Sequence, residues 1–377
     1  MKNRFNIAIL LFAVALAGCA KVEVVPTAER AVTFQVGSYA PQTKAEGDTV
    51  SLNGIGINDF SSFAYLHAAG FMDTPRAFFG EDGETISFNG TDEWAPSHDY
   101  FWPKTSESYI NFISWRGGDP SIDYAQNNED KWVANFAWEN FTVATADTLL
   151  LVADMAWRYS ANVNPATYQA YNGVTEGVPT LMHHALAQIC FLGRTAIDPV
   201  TGVSWEVSVN KIELAGVYNT GSIYMTNTDP GSTKPQAWTI EDDGWVVDSD
   251  GGEATIGKDF GDNPKLLSST ADTLLKWQSV IPQIIKRGND DEMLLDLTYT
   301  VATTYGTAPN TTVVEETVTA QVPLAAFNFG SNSTLDAWGM GQRITYTIAI
   351  NPDTGVITII PVETNWVVNA EYPINIE

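Results

Sequence analysis

Short runs in which apolar and polar residues alternate recur along the whole chain, divided by clusters of glycine, proline, asparagine and aspartate. A period of two is what a half-buried β-strand requires. Val32, Phe34 and Val36 alternate with Thr33, Gln35 and Gly37. Ile344, Tyr346, Ile348 and Ile350 share one face, with Thr345, Thr347 and Ala349 on the other. The turn Asn351-Pro352-Asp353-Thr354-Gly355 then leads into Val356 to Ile360, which reads as a hairpin. Leu294 to Tyr305 and Thr311 to Val322 form another such pair, joined through Gly306 to Asn310. No long stretch keeps the helical period, so helices are expected to be few and short. The chain reads as all-β. Its 377 residues suit about two domains, and two β-sandwiches in series are the simplest arrangement. Asn162 to Gly177 is turn-rich and polar, which places a boundary near residue 177. Thr226 to Pro264, rich in aspartate, glycine and proline, reads as a long loop on the surface of the second sandwich.

The N-terminus has a different character. Lys2 and Arg4 precede an apolar stretch, Ile7 to Ala17, that is short of the about 20 residues a membrane-spanning helix needs. Residues 1–18 read as an export signal. They end in Leu16-Ala17-Gly18-Cys19, the residue order cut by lipoprotein signal peptidase, so Cys19 is the expected lipidated N-terminus. Ala20, in place of an aspartate, favours sorting to the outer membrane. With Cys19 acylated, Cys190 has no partner for a disulfide, and its setting in Ile189-Cys190-Phe191 suits a small buried hydrophobe.

Charge and motif spacing remove several classes of chemistry. The 45 acidic side chains outnumber the 19 basic ones, for a formal charge of -26, which disfavours nucleic acid and anionic membrane surfaces alike. His183 and His184 are adjacent and point to opposite faces of a strand, and His67 and His98 show no ligand spacing, so no metal site is expected. Gly252 to Lys258 follows a phosphate-binding loop until Asp259 stands where a hydroxyl must hold magnesium. Asp248-Ser249-Asp250-Gly251 resembles the opening of a calcium loop, but the closing glutamate is missing, so Asp242 to Asp262 reads first as a solvated acidic loop with calcium binding left open. There is no Gly-x-Ser-x-Gly elbow. No enzyme activity and no cofactor are called for.

Trp94, Tyr100, Phe101, Trp102, Tyr109, Phe112 and Trp115 crowd together. Exposed, they would make a platform for sugar rings. The alternation of Tyr109 to Trp115 favours core strand for most of them. The same stretch resembles the fimbrillin family, the pilus subunits that anaerobic Gram-negative bacteria make from lipoprotein precursors. The resemblance rests on Trp94-Ala95-Pro96, Tyr100-Phe101-Trp102-Pro103 and Ile110 to Trp115. Further blocks follow in order: Asp147 to Asp154, Val178-Pro179, His184 to Ile189, Ile212 to Val217 with Gly221, Val280 to Gln283, and the terminal hairpin closing at Trp366.

That resemblance implies two transthyretin-like β-sandwiches, at 45–177 and 178–377, and a structural, adhesive role in surface fimbriae, with other pilus subunits as partners and a surface receptor as a further one. It implies a trypsin-like cut between Lys44 and Ala45, with Arg30 as the alternative site, so that segment 19–44 and its strand Val32 to Gly37 are lost. The vacated groove would take a strand from the next subunit, because an alternating strand satisfies both an apolar face and a row of unpaired backbone groups. Val356, Ile357, Thr358, Ile359 and Ile360, or the tail Trp366 to Glu377, are the candidate donors. The competing reading is a monomeric glycan-binding lipoprotein of an outer-membrane uptake system.

Overall fold

In the computed structural model of the chain, the described residues are 31–38, 57–67, 76–80, 82–90, 93–103, 109–126, 131–153, 155–159, 177–197, 201–227, 238–239, 244–250, 253–285, 293–324, 328–329, 333–334 and 336–365. They contain no α-helix, and strands make up most of them. The alternating faces anticipated from the sequence are the buried faces. Ile344, Tyr346, Ile348 and Ile350 all point into a core from strand Gln342–Ile350. That strand lies in a four-stranded sheet ordered Asp272–Val280, Ala187–Thr195, Gln342–Ile350, Ile357–Asn365. Ala187–Thr195 and Gln342–Ile350 run parallel, and the terminal pair is the expected hairpin.

A five-stranded sheet faces it, built on Glu253–Asp259, Val203–Tyr218, Leu294–Thr307 and Asn310–Pro323, with Lys265–Leu266 beside the second of these. Phe191, Ile212, Leu214, Leu297, Tyr299 and Tyr346 fill the space between the sheets. Phe191 and Tyr346 stack with ring centroids 5.1 Å apart. The Trp338 indole N–H donates to the Tyr346 hydroxyl at 2.9 Å, which keeps both buried polar groups satisfied. Burial pushes the Tyr346 phenol well above its ordinary range, an effect the Trp338 bond only partly opposes.

In the N-terminal half, strand Tyr109–Arg116 is apolar on both faces because it borders two cores. Ile110 and Phe112 point into one, and Ile113 and Trp115 into the other. The strand belongs to a nine-stranded sheet that is curled, since Asp59–His67 pairs with Tyr109–Arg116 as well as with Glu84–Phe88. Phe34, Phe60, Phe79, Trp94, Trp102 and Phe112 fill the inside of the curl. Its outer face packs through Phe63, Trp115, Phe136, Trp138 and Trp245 onto a four-stranded sheet of Trp245–Val247, Thr220–Tyr224, Lys131–Thr142 and Ser121–Gln126. Strand Tyr109–Arg116 ends at Gly117, where φ is +88° and a Cβ would stand 2.1 Å from the Leu149 carbonyl oxygen. Only glycine permits that approach.

Hydrogen bonding runs across residue 177. Val178–His184 pairs with Phe34–Ser38 and with Leu151–Ala153 in the N-terminal sheet. The chain passes to the C-terminal sandwich between His184 and Ala187, where the Trp245 indole N–H donates to the Ala185 carbonyl at 2.6 Å. The expectation of one long loop over Thr226 to Pro264 is corrected: Trp245–Val247 and Glu253–Asp259 are strands. Glu253–Asp259 lies at a sheet edge with most of its side chains exposed, so its composition imitates a loop. Gly257 and Lys258 therefore sit in extended backbone, and no phosphate-cradling loop forms there. Asp248 and Asp259 cap tight turns, accepting from the N–H groups of Asp250 at 3.0 Å and Gly261 at 2.8 Å.

Candidate functional site

The strand Phe34–Ser38 is inserted between two others. On one side it runs parallel to Val178–His184, in register from Phe34↔Val178 to Ser38↔Met182. On the other it meets Trp94–Pro96 antiparallel at Phe34↔Trp94. Val178 N–H donates to the Thr33 carbonyl at 2.8 Å, and Val32 N–H to the Tyr100 carbonyl at 2.8 Å. Val32 and Phe34 are buried, and Val36 packs against the same core. Phe34 meets Phe60 and Phe112 edge-on, with centroids at 5.6 and 5.5 Å, and leans on Phe79 at 6.4 Å. Burying an aliphatic or aromatic side chain is worth roughly 1.5–3 kcal/mol, so these apolar residues hold the strand by several kcal/mol. Withdrawing it would open a slot lined by aromatic rings, with a row of unpaired backbone groups along Val178–His184 and a vacated position opposite Trp94.

The segment covering the start of this strand is tied down by one carboxylate. Glu84 lies on strand Glu84–Phe88, and continuing the register Ile86↔Pro96 sets it across from His98. Tyr100 OH donates to Glu84 Oε1 at 2.7 Å, His98 Nδ1 lies 2.9 Å from the same oxygen, and Ser97 Oγ donates to Oε2. Burial of the Glu84 carboxyl works to raise its pKa. The bonds from Ser97, Tyr100 and His98 more than offset this and hold it below the ordinary carboxylate value. Burial and the neighbouring Glu84 charge push the Tyr100 phenol up. Serine, histidine and glutamate meet here, but Ser97 and Glu84 converge on the same ring nitrogen of His98, so no relay from acid through imidazole to hydroxyl exists. The cluster is a clasp. Sequence reading missed it, and the only signal was the hairpin register.

Strand Ile357–Asn365 pairs along its whole length with Gln342–Ile350. Of the candidate donor residues, Ile359 is buried in the C-terminal core, Ile357 is half-buried, and Val356, Thr358 and Ile360 are exposed. Cys19, Arg30, Lys44, Ala45 and the tail Trp366 to Glu377 lie outside the described residues. Cys190 is buried, forms no disulfide, and places its sulfur 3.5 Å from Thr345 Oγ1. His184 is buried, and burial, reinforced by the charges of Arg343 and His183, lowers its pKa to about 3. Arg343 stacks over the Trp277 ring at 3.9 Å. Trp94, Trp102, Phe112 and Trp115 are core, and Phe101 is the exposed ring of that cluster among the described side chains, so a stacking platform for sugars is not built there.

The sequence matches no protein-family model and no curated protein. Among solved structures, a fimbrial protein from Bacteroides vulgatus aligns over 90% of this chain and 100% of its own, at 16% identity and a TM-score of 0.51. The two share a fold. A candidate cell adhesion protein from Parabacteroides distasonis covers 90% of this chain and 97% of its own at 13% identity, with a TM-score of 0.46. The tip fimbrial protein of Porphyromonas gingivalis, in a C-terminally truncated form, covers 89% and 100% at 10% identity, with a TM-score of 0.34. At those scores neither adds to the fold assignment. The fimbrial fold agrees with the all-β, sandwich-built chain expected from the sequence.

Proposed function

We propose that the chain is a structural and adhesive subunit of surface fimbriae. In this reading it is exported as a lipoprotein acylated at Cys19 in the outer membrane, cut between Lys44 and Ala45, and joined to the next subunit by strand exchange. The observation that carries the reading is the placement of Phe34–Ser38. A strand from the beginning of the chain fills the middle of a sheet formed by later segments, and a basic residue suited to a trypsin-like protease follows it. A cut after Lys44 leaves that strand held by non-covalent contacts alone. A cut after Arg30 leaves it covalently attached, which makes Arg30 the weaker site. The fold shared with a fimbrial protein supports the same role.

Of the candidate donors, Val356 to Ile360 would have to abandon the pairing with Gln342–Ile350 and withdraw Ile359 from its core. The tail Trp366 to Glu377 carries Tyr372, Ile374 and Ile376 in the alternation a donated strand needs, so it is the preferred donor. A new strand in the vacated slot would restore both the apolar contacts of Val32 and Phe34 and the backbone ladder.

The test is limited trypsin digestion of the full chain, followed by N-terminal sequencing and electron microscopy. A new terminus at Ala45, release of the preceding peptide and concentration-dependent filaments are expected. Deleting residues 366–377 should abolish filaments without preventing the cut. A cleaved chain that stays monomeric at high concentration would refute strand exchange, and filaments formed by the tail-deleted chain would refute the assignment of the donor.

A further inference from the structure

A cavity of about 280 Å³ opens where Glu253–Asp259 and Asp272–Val280, the edge strands of the two C-terminal sheets, meet the 143–146 segment. It lies apart from the strand slot, and none of its lining residues belongs to the core around Phe34. Val143, Ala146 and Ala254, each half-buried, supply the apolar part of the wall, while Thr145, Asn219, Thr255 and Gln278 supply hydroxyl and amide groups, with Tyr218 as the aromatic member. Among the described residues not one that lines it is charged, in a chain that carries 45 acidic and 19 basic side chains. A carboxylate, phosphate or cation would leave water there without an opposite charge to meet it.

The walls are fixed in advance. Val143 N–H donates to the Asn219 carbonyl at 2.8 Å, Ser279 N–H to Ala146 at 2.9 Å, and Thr148 N–H to Thr145 at 3.1 Å. The Gln278 amide is oriented by its Nε2, which donates to the carbonyls of Lys276 and Trp277 at 3.0 Å each; among the described residues no donor meets its Oε1, which can accept from a ligand. The volume lies just below the usual size of sites for drug-like molecules.

We infer that this cavity is a binding site for a neutral sugar. A pyranose ring offers what the walls ask for: a patch of C–H groups for the apolar wall, hydroxyls for the amide and hydroxyl rim, and no net charge. Adhesion would then reside in the body of each subunit, and the site would act whether or not subunits assemble.

The experiment titrates the uncut full-length chain with a panel of methyl glycosides of neutral hexoses and N-acetylhexosamines, by saturation-transfer NMR and calorimetry. At least one glycoside should bind. Gln278→Ala should weaken it about tenfold, as expected for the loss of one hydrogen bond. Thr255→Trp, at an exposed edge, should block the site while leaving the melting temperature of the free chain unchanged. If Gln278→Ala does not fold, Thr255→Trp alone decides. Absence of binding across the panel overturns the inference, as does binding that survives these substitutions. Since no cleavage or polymer is involved, failure here leaves strand exchange standing, and the reverse holds equally.

Discussion

Replacing Phe34 with alanine tests whether one side chain keeps the inserted strand in place. Phe34 is 4% exposed and touches Phe60, Phe79 and Phe112, so truncation removes its transfer energy and leaves a cavity among three rings. Phenylalanine-to-alanine changes at such sites cost about 3–5 kcal/mol. If the strand opens locally, the whole loss falls on that opening. At about 1.4 kcal/mol per factor of ten, amide hydrogen exchange should then accelerate roughly 140- to 3,700-fold across Phe34–Ser38 and Val178–Met182, which share the ladder. Mass spectrometry of peptides spanning both strands measures this directly, with the C-terminal hairpin Gln342–Asn365 as internal reference. Val362→Ala, at an exposed position in that hairpin, should leave exchange in Phe34–Ser38 unchanged. Protection within about threefold of the parent chain after Phe34→Ala, a change under 1 kcal/mol, would refute the claim that this ring anchors the strand.

Other outcomes follow from the surrounding chemistry. Glu84→Ala should lower stability by about 1–3 kcal/mol, because the half-buried Tyr100 hydroxyl loses its acceptor, and should speed exchange of the Val32 amide, which donates to Tyr100; hydrogen exchange on the variant checks both. Since the folded Glu84 pKa is lowered, its contribution is present above the ordinary value of 4.5 and is lost as pH falls through the lowered value. His184, with a folded pKa of about 3 against an ordinary 6.5, is held neutral when folded and takes up a proton when unfolded. Stability should therefore be full above pH 6.5 and fall by about 1.4 kcal/mol per unit from there towards pH 3, a slope that His184→Gln should flatten in denaturant titrations. Gly117→Ala should prevent folding or cost several kcal/mol, because its Cβ meets the Leu149 carbonyl at 2.1 Å; Gly355→Ala, at φ +70° with open space around it, should cost about 1 kcal/mol in thermal melts.

The strands whose residues alternate cleanly were legible before any coordinates, as Phe34 and Tyr346 illustrate by facing the cores their spacing assigned them. Alternation says which face is buried and is silent about partners. Nothing in residues 34 to 38 points to Val178–His184, because parallel neighbours far apart in the chain are chosen by the packing of the whole sheet. Edge strands were hidden for the opposite reason. In Glu253–Asp259 most side chains meet water, and selection for solubility there erases the pattern that marks a strand. Glu84 was invisible because its role comes from Ser97, His98 and Tyr100, brought beside it by a hairpin. The uncharged cavity joins residues from 143 to 280, and no local motif could have announced it.

The parallel pairing of Phe34–Ser38 with Val178–His184 also bears on the order of folding. The first of these strands is synthesised long before its partner, and closing the intervening length of chain costs entropy that the pairing repays only once both are present. Until Val178–His184 is available, the early strand has only the pairing Phe34↔Trp94 to hold it in the sheet, so its seat is completed late. Exchange between subunits would act on the part of the sheet that closes last.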